Sequence, residues 1–204
     1  DQRAVLVGLG PDLVGHGESD KPRGPYLLDD FARLLDGFMD ALQLKSATGC
    51  GHSLGGAIAV HVGHFYPTRV DRLVLVSSGG LGREVSFALR LLALPGAETL
   101  TGAVLGRPEV QRVLRSPRTH RILGVSPERL VNLRRVGRSL FRPDAREAFF
   151  RSLRGVIEPS GQRGSFLEMQ YLAAHVPTLL VWSQRDVIIP VSHAHLTHAH
   201  LPGS

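Results

Sequence analysis

Residues 46–66 constrain the fold of this chain more than any other stretch. A short run, residues 46–51, ends in Gly51-His52-Ser53-Leu54-Gly55 and passes at once into an apolar run that Pro67 stops. Residues 46–51 read as a strand, although Thr48 and Gly49 are weak strand formers, and residues 54–66 read as a helix with small residues on one side. A chain that goes from strand to helix within three residues must turn very sharply. Side chains two positions either side of the apex would collide there, so Gly51 and Gly55 suit it. Ser53 then stands at the apex, either as an ordinary serine in a glycine-rich turn or as an exposed nucleophile at a helix N-terminus. In the second case free backbone N–H groups, that of Leu54 first, are available to an oxyanion.

The rest of the chain supplies a frame for that turn. Residues 4–7 are a short strand candidate, and the turn-rich "GLGPDLVGHGESDKP" follows. Phe31, Leu34, Leu35, Phe38 and Leu42 recur at helical spacing over 29–42, with Asp29 or Asp30 as a plausible cap. "RLVLVS" at 72–77 and "TLLVWS" at 178–183 read as buried strands. Strands alternating with helices predict an α/β fold with a mostly parallel sheet flanked by helices. Residues 81–169 contain no convincing strand and are broken by Pro95, Pro108, Pro117, Pro127, Pro143 and Pro159. That stretch is too long for a connection and predicts an inserted helical lid, leaving residues 1–80 and 170–204 as the core.

Charge and composition narrow the function classes. No apolar run reaches the length of a membrane span, and no basic-then-apolar leader is present. Of a net +6, residues 81–170 carry sixteen Arg against eight acidic residues, and the remainder carries eight Lys/Arg against ten acidic. The arginines are scattered at helical spacing, which favours a solvated surface over an anion-attracting one, and no nucleic-acid motif accompanies them. Cys50 is the only cysteine. It cannot form an internal disulfide, which fits a reducing, cytoplasmic setting, and it reads as a small buried strand residue.

Three segments together resemble the α/β-hydrolase superfamily: "PDLVGHGESDKP" at 11–22, "GHSLGG" at 51–56 and "VPTLLVWSQRDVIIP" at 176–190. The resemblance spans nearly the whole chain. It implies Ser53 as nucleophile, Leu54 N–H as an oxyanion donor, Gly51 and Gly55 as elbow glycines, and Asp186 as the acid that supports a histidine base. The family order serine, acid, histidine favours Asp186 over Asp12 or Asp20; otherwise Asp186 is a surface turn residue. A serine elbow, where some relatives carry aspartate, argues for acyl chemistry on an ester, a thioester or a C–C bond beside a carbonyl. Neither cofactor nor metal is implied. The partner is an apolar small-molecule acyl substrate, not nucleic acid. An acyltransferase with the same elbow and a non-catalytic ligand-binding remnant are the rivals.

The family's histidine follows one more strand beyond Asp186, so it is expected after Ser204 in a longer parent chain. The early strands and the His-Gly oxyanion loop are likewise expected upstream, with "LVGLG" at 6–10 a candidate remnant of that loop. Among the histidines present, His193, His195, His198 and His200 read as a polar helix face rather than a metal site. His16 reads as a turn residue, and His61 and His64 as structural. His52 diverges from its neighbour at the turn, and Trp182 reads as strand core.

Overall fold

The computed structural model describes residues 7–116, 140–163, 176–201 and 204. The strand expected at 4–7 lies almost wholly outside them, as do residues 117–139 and 164–175 of the expected lid. In chain order the core elements are α1 (Leu28–Ala41), β1 (Ala47–His52), α2 (Leu54–Phe65), a 3₁₀ turn (Pro67–Arg69) and β2 (Val70–Val76). Between β2 and the next core strand come α3 (Phe87–Leu92), α4 (Ala97–Leu105), α5 (Pro108–Arg115) and α6 (Pro143–Val156). The two-residue strands β3 (Ile157–Glu158) and β4 (Gly161–Gln162) follow. Then β5 (Thr178–Val181) and α7 (Ser192–His200) return to the core.

The sheet has the order β1-β2-β5, and both pairings are parallel. Parallel neighbours need a crossover, and α2 supplies it between β1 and β2. Leu73 and Leu75 of β2 point to one face and meet Ile58, Ala59 and Val62 of α2. Phe31 and Ala32 of α1, both without exposed surface, complete the same core. Burying such side chains stabilises the fold by about 1.5–3 kcal/mol each. The polar content of β1 has a simple origin: Thr48, Cys50 and His52 alternate on its exposed face. Cys50 is therefore exposed, not buried as expected from its strand position.

Two local expectations are corrected. The cap of α1 is Leu27 rather than Asp29 or Asp30. Asp30 sits one turn in, and its carboxylate accepts the Leu27 N–H at 3.3 Å, which is the returning half of a capping box. The region between β2 and β5 does contain strand, the β3–β4 hairpin. It turns at Pro159-Ser160 and is tied to the segment after β2 by Gln162 N–H donating to the Arg83 carbonyl at 2.8 Å. Strands of two residues carry no periodicity that a sequence could reveal. The prolines also act differently from simple breaks: Pro108 and Pro143 begin α5 and α6 at the first helical position, where the missing N–H costs nothing. Ala93, Phe150, Leu153 and Ile157 form a second, smaller core made only of residues from this region.

Candidate active site

The carboxyl ends of β1, β2 and β5 lie side by side, which is where open parallel sheets commonly bind ligands. β1 runs directly into Ser53, whose φ is +53° and ψ −116°. A non-glycine residue in that region is strained, and such strain concentrates at functional turns. The turn is held from several sides. Ser53 N–H donates to the Val76 carbonyl at 3.1 Å, and the Ser53 carbonyl accepts from Gly56, Ala57 and Gly79 N–H. Leu54 is the first residue of α2, so its N–H has no acceptor within the helix.

The flanking glycines are not equivalent. A Cβ on Gly51 would run into the Gly55 carbonyl, so this position requires glycine. A Cβ on Gly55 would meet nothing within 4 Å, which corrects the expectation that both are excluded by crowding. The second glycine that packing demands is Gly56, whose Cβ would strike the buried Ser78 side chain. Two glycines in a row hide which of them is needed.

Asp186 follows β5 in a tight turn. Its Oδ1 accepts the N–H of Ile188 at 2.8 Å and of Ile189 at 3.0 Å. Burial alone would raise this carboxyl. The Ser77 hydroxyl, the hydrogen-bonded Ile189 and Ile188 amides and nearby His52 together outweigh burial and hold it below the ordinary carboxylate range. Asp186 is therefore an anion fixed in direction. The sequence does not single out Ser77. This residue directly follows β2, has φ +41° and donates its N–H to the Val181 carbonyl at 2.9 Å. Ser77 thus joins the strand end before Asp186 to the strand beside Ser53. Its strained backbone has no sequence signal beyond the small residues of "SSGG".

A cavity of about 170 Å³ opens at the elbow. Ser53, Leu54 and Gly79 form its floor side, and Leu89, Phe149 and Leu153 of the intervening helices line it from above. Gln162 also lines it, and its side chain makes two bonds. Its Oε1 accepts Gly80 N–H at 2.8 Å, and its Nε2 donates to the Glu84 carbonyl at 3.1 Å. His16 lines the same cavity, half-buried, with Nδ1 3.1 Å from the Val14 carbonyl. Gly15 and Gly17 have φ of +83° and +50°, so His16 is the turn residue expected and a cavity residue as well. Residues 7–10 are exposed and none lines the cavity.

The remaining histidines fall elsewhere. His61 is half-buried in α2, its Nδ1 2.9 Å from the Ala57 carbonyl; burial lowers its pKa against that bond and Asp29. His195, His198 and His200 are exposed, but His193 departs from the polar face expected of α7. It is wholly buried, with Nε2 2.8 Å from Glu84 Oε2 and Gly82 packed against the ring. The small Gly82 makes room for it. Trp182 packs on the core and donates Nε1–H to the Ile189 carbonyl at 3.0 Å, bracing the Asp186 turn.

A strand–turn–helix elbow bearing a strained serine on the lining of a cavity, with a turn-held aspartate after another strand of the same sheet, agrees with family comparison. The family model for the alpha/beta hydrolase fold matches residues 8–204. This chain belongs to the alpha/beta hydrolase fold family. The uncharacterized protein Rv2715 of Mycobacterium tuberculosis is 38% identical over 203 residues, covering 96% of this chain and 58% of that protein. A 2-hydroxymuconate semialdehyde hydrolase of Pseudomonas putida is 31% identical, covering 90% of this chain and 61% of that enzyme. Among solved structures, a meta-cleavage product hydrolase from Pseudomonas fluorescens IP01 superposes with a TM-score of 0.64 at 25% identity. That match covers 94% of this chain and 66% of the other. The chain thus spans about three fifths of the length of these curated relatives. No helix among the described residues is long and apolar enough to cross a membrane.

Proposed function

We propose that this protein is a serine-nucleophile hydrolase that cleaves an ester, a thioester or a C–C bond beside a carbonyl through an acyl-enzyme. The observation that carries this reading is the backbone of Ser53: φ is +53° at a strand–helix elbow that opens onto a cavity. A fold tolerates such strain where the geometry itself is useful. Ser53 Oγ attacks the substrate carbonyl carbon and gives its proton to a histidine. The oxygen that becomes negative is met by Leu54 N–H. The tetrahedral adduct collapses to an acyl-enzyme, the leaving group departs with the proton held by the histidine, and water repeats the sequence to release the acid and free Ser53. Asp186 holds and electrostatically supports the histidine. The helices between β2 and β5 act as a lid that shapes an apolar acyl pocket. The names of the Pseudomonas relatives favour a hydrolytic reaction of this kind.

The histidine is supplied from beyond Ser204. One further strand of about 5–6 residues with its loops fits between α7 and that base. A second reading has one observation in its favour: His16 lines the cavity with Ser53 and could serve as base within residues 1–204. The test is to assay residues 1–204 beside a chain extended through its reading frame, on short p-nitrophenyl esters. The extended protein should show turnover that Ser53→Ala abolishes, and the shorter one should be slower by about 10⁴–10⁶. Comparable Ser53-dependent turnover in both would move the base to His16, with His16→Ala as the check. Absence of Ser53-dependent turnover in both would favour a ligand-binding remnant. Ester formation with an added alcohol, in place of free acid, would favour an acyltransferase.

A further inference from the structure

We propose that His193 and Glu84 are positioning residues for the reaction: their bond fixes the turn that carries Asp186 against the segment that leaves the Ser53 elbow. The inference rests on the reading of Ser53 as nucleophile and Asp186 as acid, and gives a role to two residues which that reading does not use.

Residues 79–86 run from one of these groups to the other. At the start of the segment Gly79 N–H donates to the Ser53 carbonyl at 2.9 Å, and Leu81 is buried in the core. At its end Ser86 N–H donates to the Ile188 carbonyl at 2.8 Å. Ile188 N–H in turn donates to Asp186 Oδ1 at 2.8 Å. Glu84 comes two residues before that last anchor, and its Oε2 lies 2.8 Å from His193 Nε2. Hydrogen bonds from its own backbone N–H and from His193 hold the Glu84 carboxyl below its ordinary range, so it is an anion and Nε2 carries the proton. His193 stands in the first turn of α7, with its N–H donating to the Pro190 carbonyl at 3.1 Å. The acid turn is therefore held at three points. Ser77 bonds to Val181 before it, Ser86 bonds to Ile188 within it, and Glu84 bonds to His193 after it.

The pair holds more than it packs. His193 is 0% exposed. A buried imidazole is costly unless it is bonded, and a leucine would fill the same space without that cost. Gly82 leaves the room, since a Cβ there would come within 2.6 Å of Nε2. The Glu84 side chain stays 71% exposed, so its carboxylate gives up little hydration to make the bond. The neighbouring cation, Arg83, is bonded to Glu158 and Ser160 instead. Neither Glu84 nor His193 lines the cavity, so loosening the pair acts on the chemical step and not on substrate binding.

Hydrogen exchange and steady-state kinetics test this on the extended protein, on Glu84→Ala and on Glu84→Gln. Glu84 is exposed, so both variants should fold. In Glu84→Ala the Ile188 and Ile189 amides should exchange about tenfold faster, while those of β2 keep the parent's rates. Its kcat on p-nitrophenyl esters should fall by about 10–100-fold, with KM unchanged within about twofold. Glu84→Gln keeps an oxygen acceptor for Nε2–H and should lie between Glu84→Ala and the parent in both measurements. Should Glu84→Ala fail to fold, Glu84→Gln must show both changes in smaller measure. Unchanged exchange at Ile188 and Ile189, an unchanged kcat, a loss carried wholly by KM, or no recovery in Glu84→Gln would overturn the proposal. Faster exchange in a protein without Ser53-dependent turnover would leave the pair as the support of the Asp186 turn and remove the hydrolase reading. Ser53-dependent turnover with none of these changes would do the reverse.

Discussion

Gly51 and Gly55 flank Ser53 symmetrically in sequence and asymmetrically in space. A methyl group on Gly51 meets the Gly55 carbonyl, whereas one on Gly55 meets nothing. Gly51→Ala should therefore destabilise the protein by about 1–3 kcal/mol through overpacking. Gly55→Ala should be neutral or stabilise it by up to about 1 kcal/mol through helix propensity. Urea unfolding of the two variants separates them, and equal costs would contradict the geometry. Asp186 gives a second prediction at this scale. Asparagine retains an Oδ1 for the Ile188 and Ile189 amides but loses the charge. Asp186→Asn should fold, with turnover of the extended protein reduced by about 10³–10⁴. The carboxyl is held below its usual value in the folded state. Its contribution to stability is thus present above the unfolded value and is lost as pH falls through the lower folded one. Below about pH 4 the variant should lose stability less steeply than the parent. Identical acid limbs in circular-dichroism titrations would count against that assignment.

Elements explain what the sequence could and could not reveal. Helix α1 was legible from its period, and strands β1, β2 and β5 from short runs bounded by turn formers, although β5 leaves Leu179 and Val181 exposed where the apolar run implies a buried strand. The elbow was legible from its glycines and from the run on either side. His193 was not: nothing in "VSHAHLTHAH" distinguishes the histidine that faces Gly82 and Glu84 from those that face water. The β3–β4 hairpin was also hidden, since long-range bonds to Arg83, Gly80 and Glu84 fix it rather than any local pattern. Gln162 is the hinge of that arrangement. It is 4% exposed and ties the hairpin to the segment whose Gly79 N–H holds the Ser53 carbonyl. Gln162→Leu fills the same space but strands the Gly80 N–H and Glu84 carbonyl. It should cost about 1–3 kcal/mol in chemical denaturation and lower Ser53-dependent turnover. A variant as stable and active as the parent would mean that the hairpin is held by other contacts.

At the scale of the whole molecule, the three parallel strands of the sheet among the described residues bring residues from three distant segments to one edge. Ser53 directly follows one strand, Ser77 directly follows the next, and Asp186 comes after the third. Their sequence separations are large, yet the strand register fixes their adjacency through backbone bonds from Ser53 to Val76 and from Ser77 to Val181. The helices between β2 and β5 then roof the same edge, so the cavity belongs jointly to both parts of the chain. In the proposed reading, this organisation holds the nucleophile and the acid by backbone geometry and adds apolar binding surface separately. Its central claim is that Ser53 is the group that becomes acylated. The most direct measurement is treatment of the extended protein with a fluorophosphonate probe, followed by digestion and mass mapping. The account predicts one adduct, on the peptide that contains Ser53, absent in Ser53→Ala and formed much more slowly in Asp186→Asn. An adduct on any other residue, or labelling unchanged in Ser53→Ala, would contradict it.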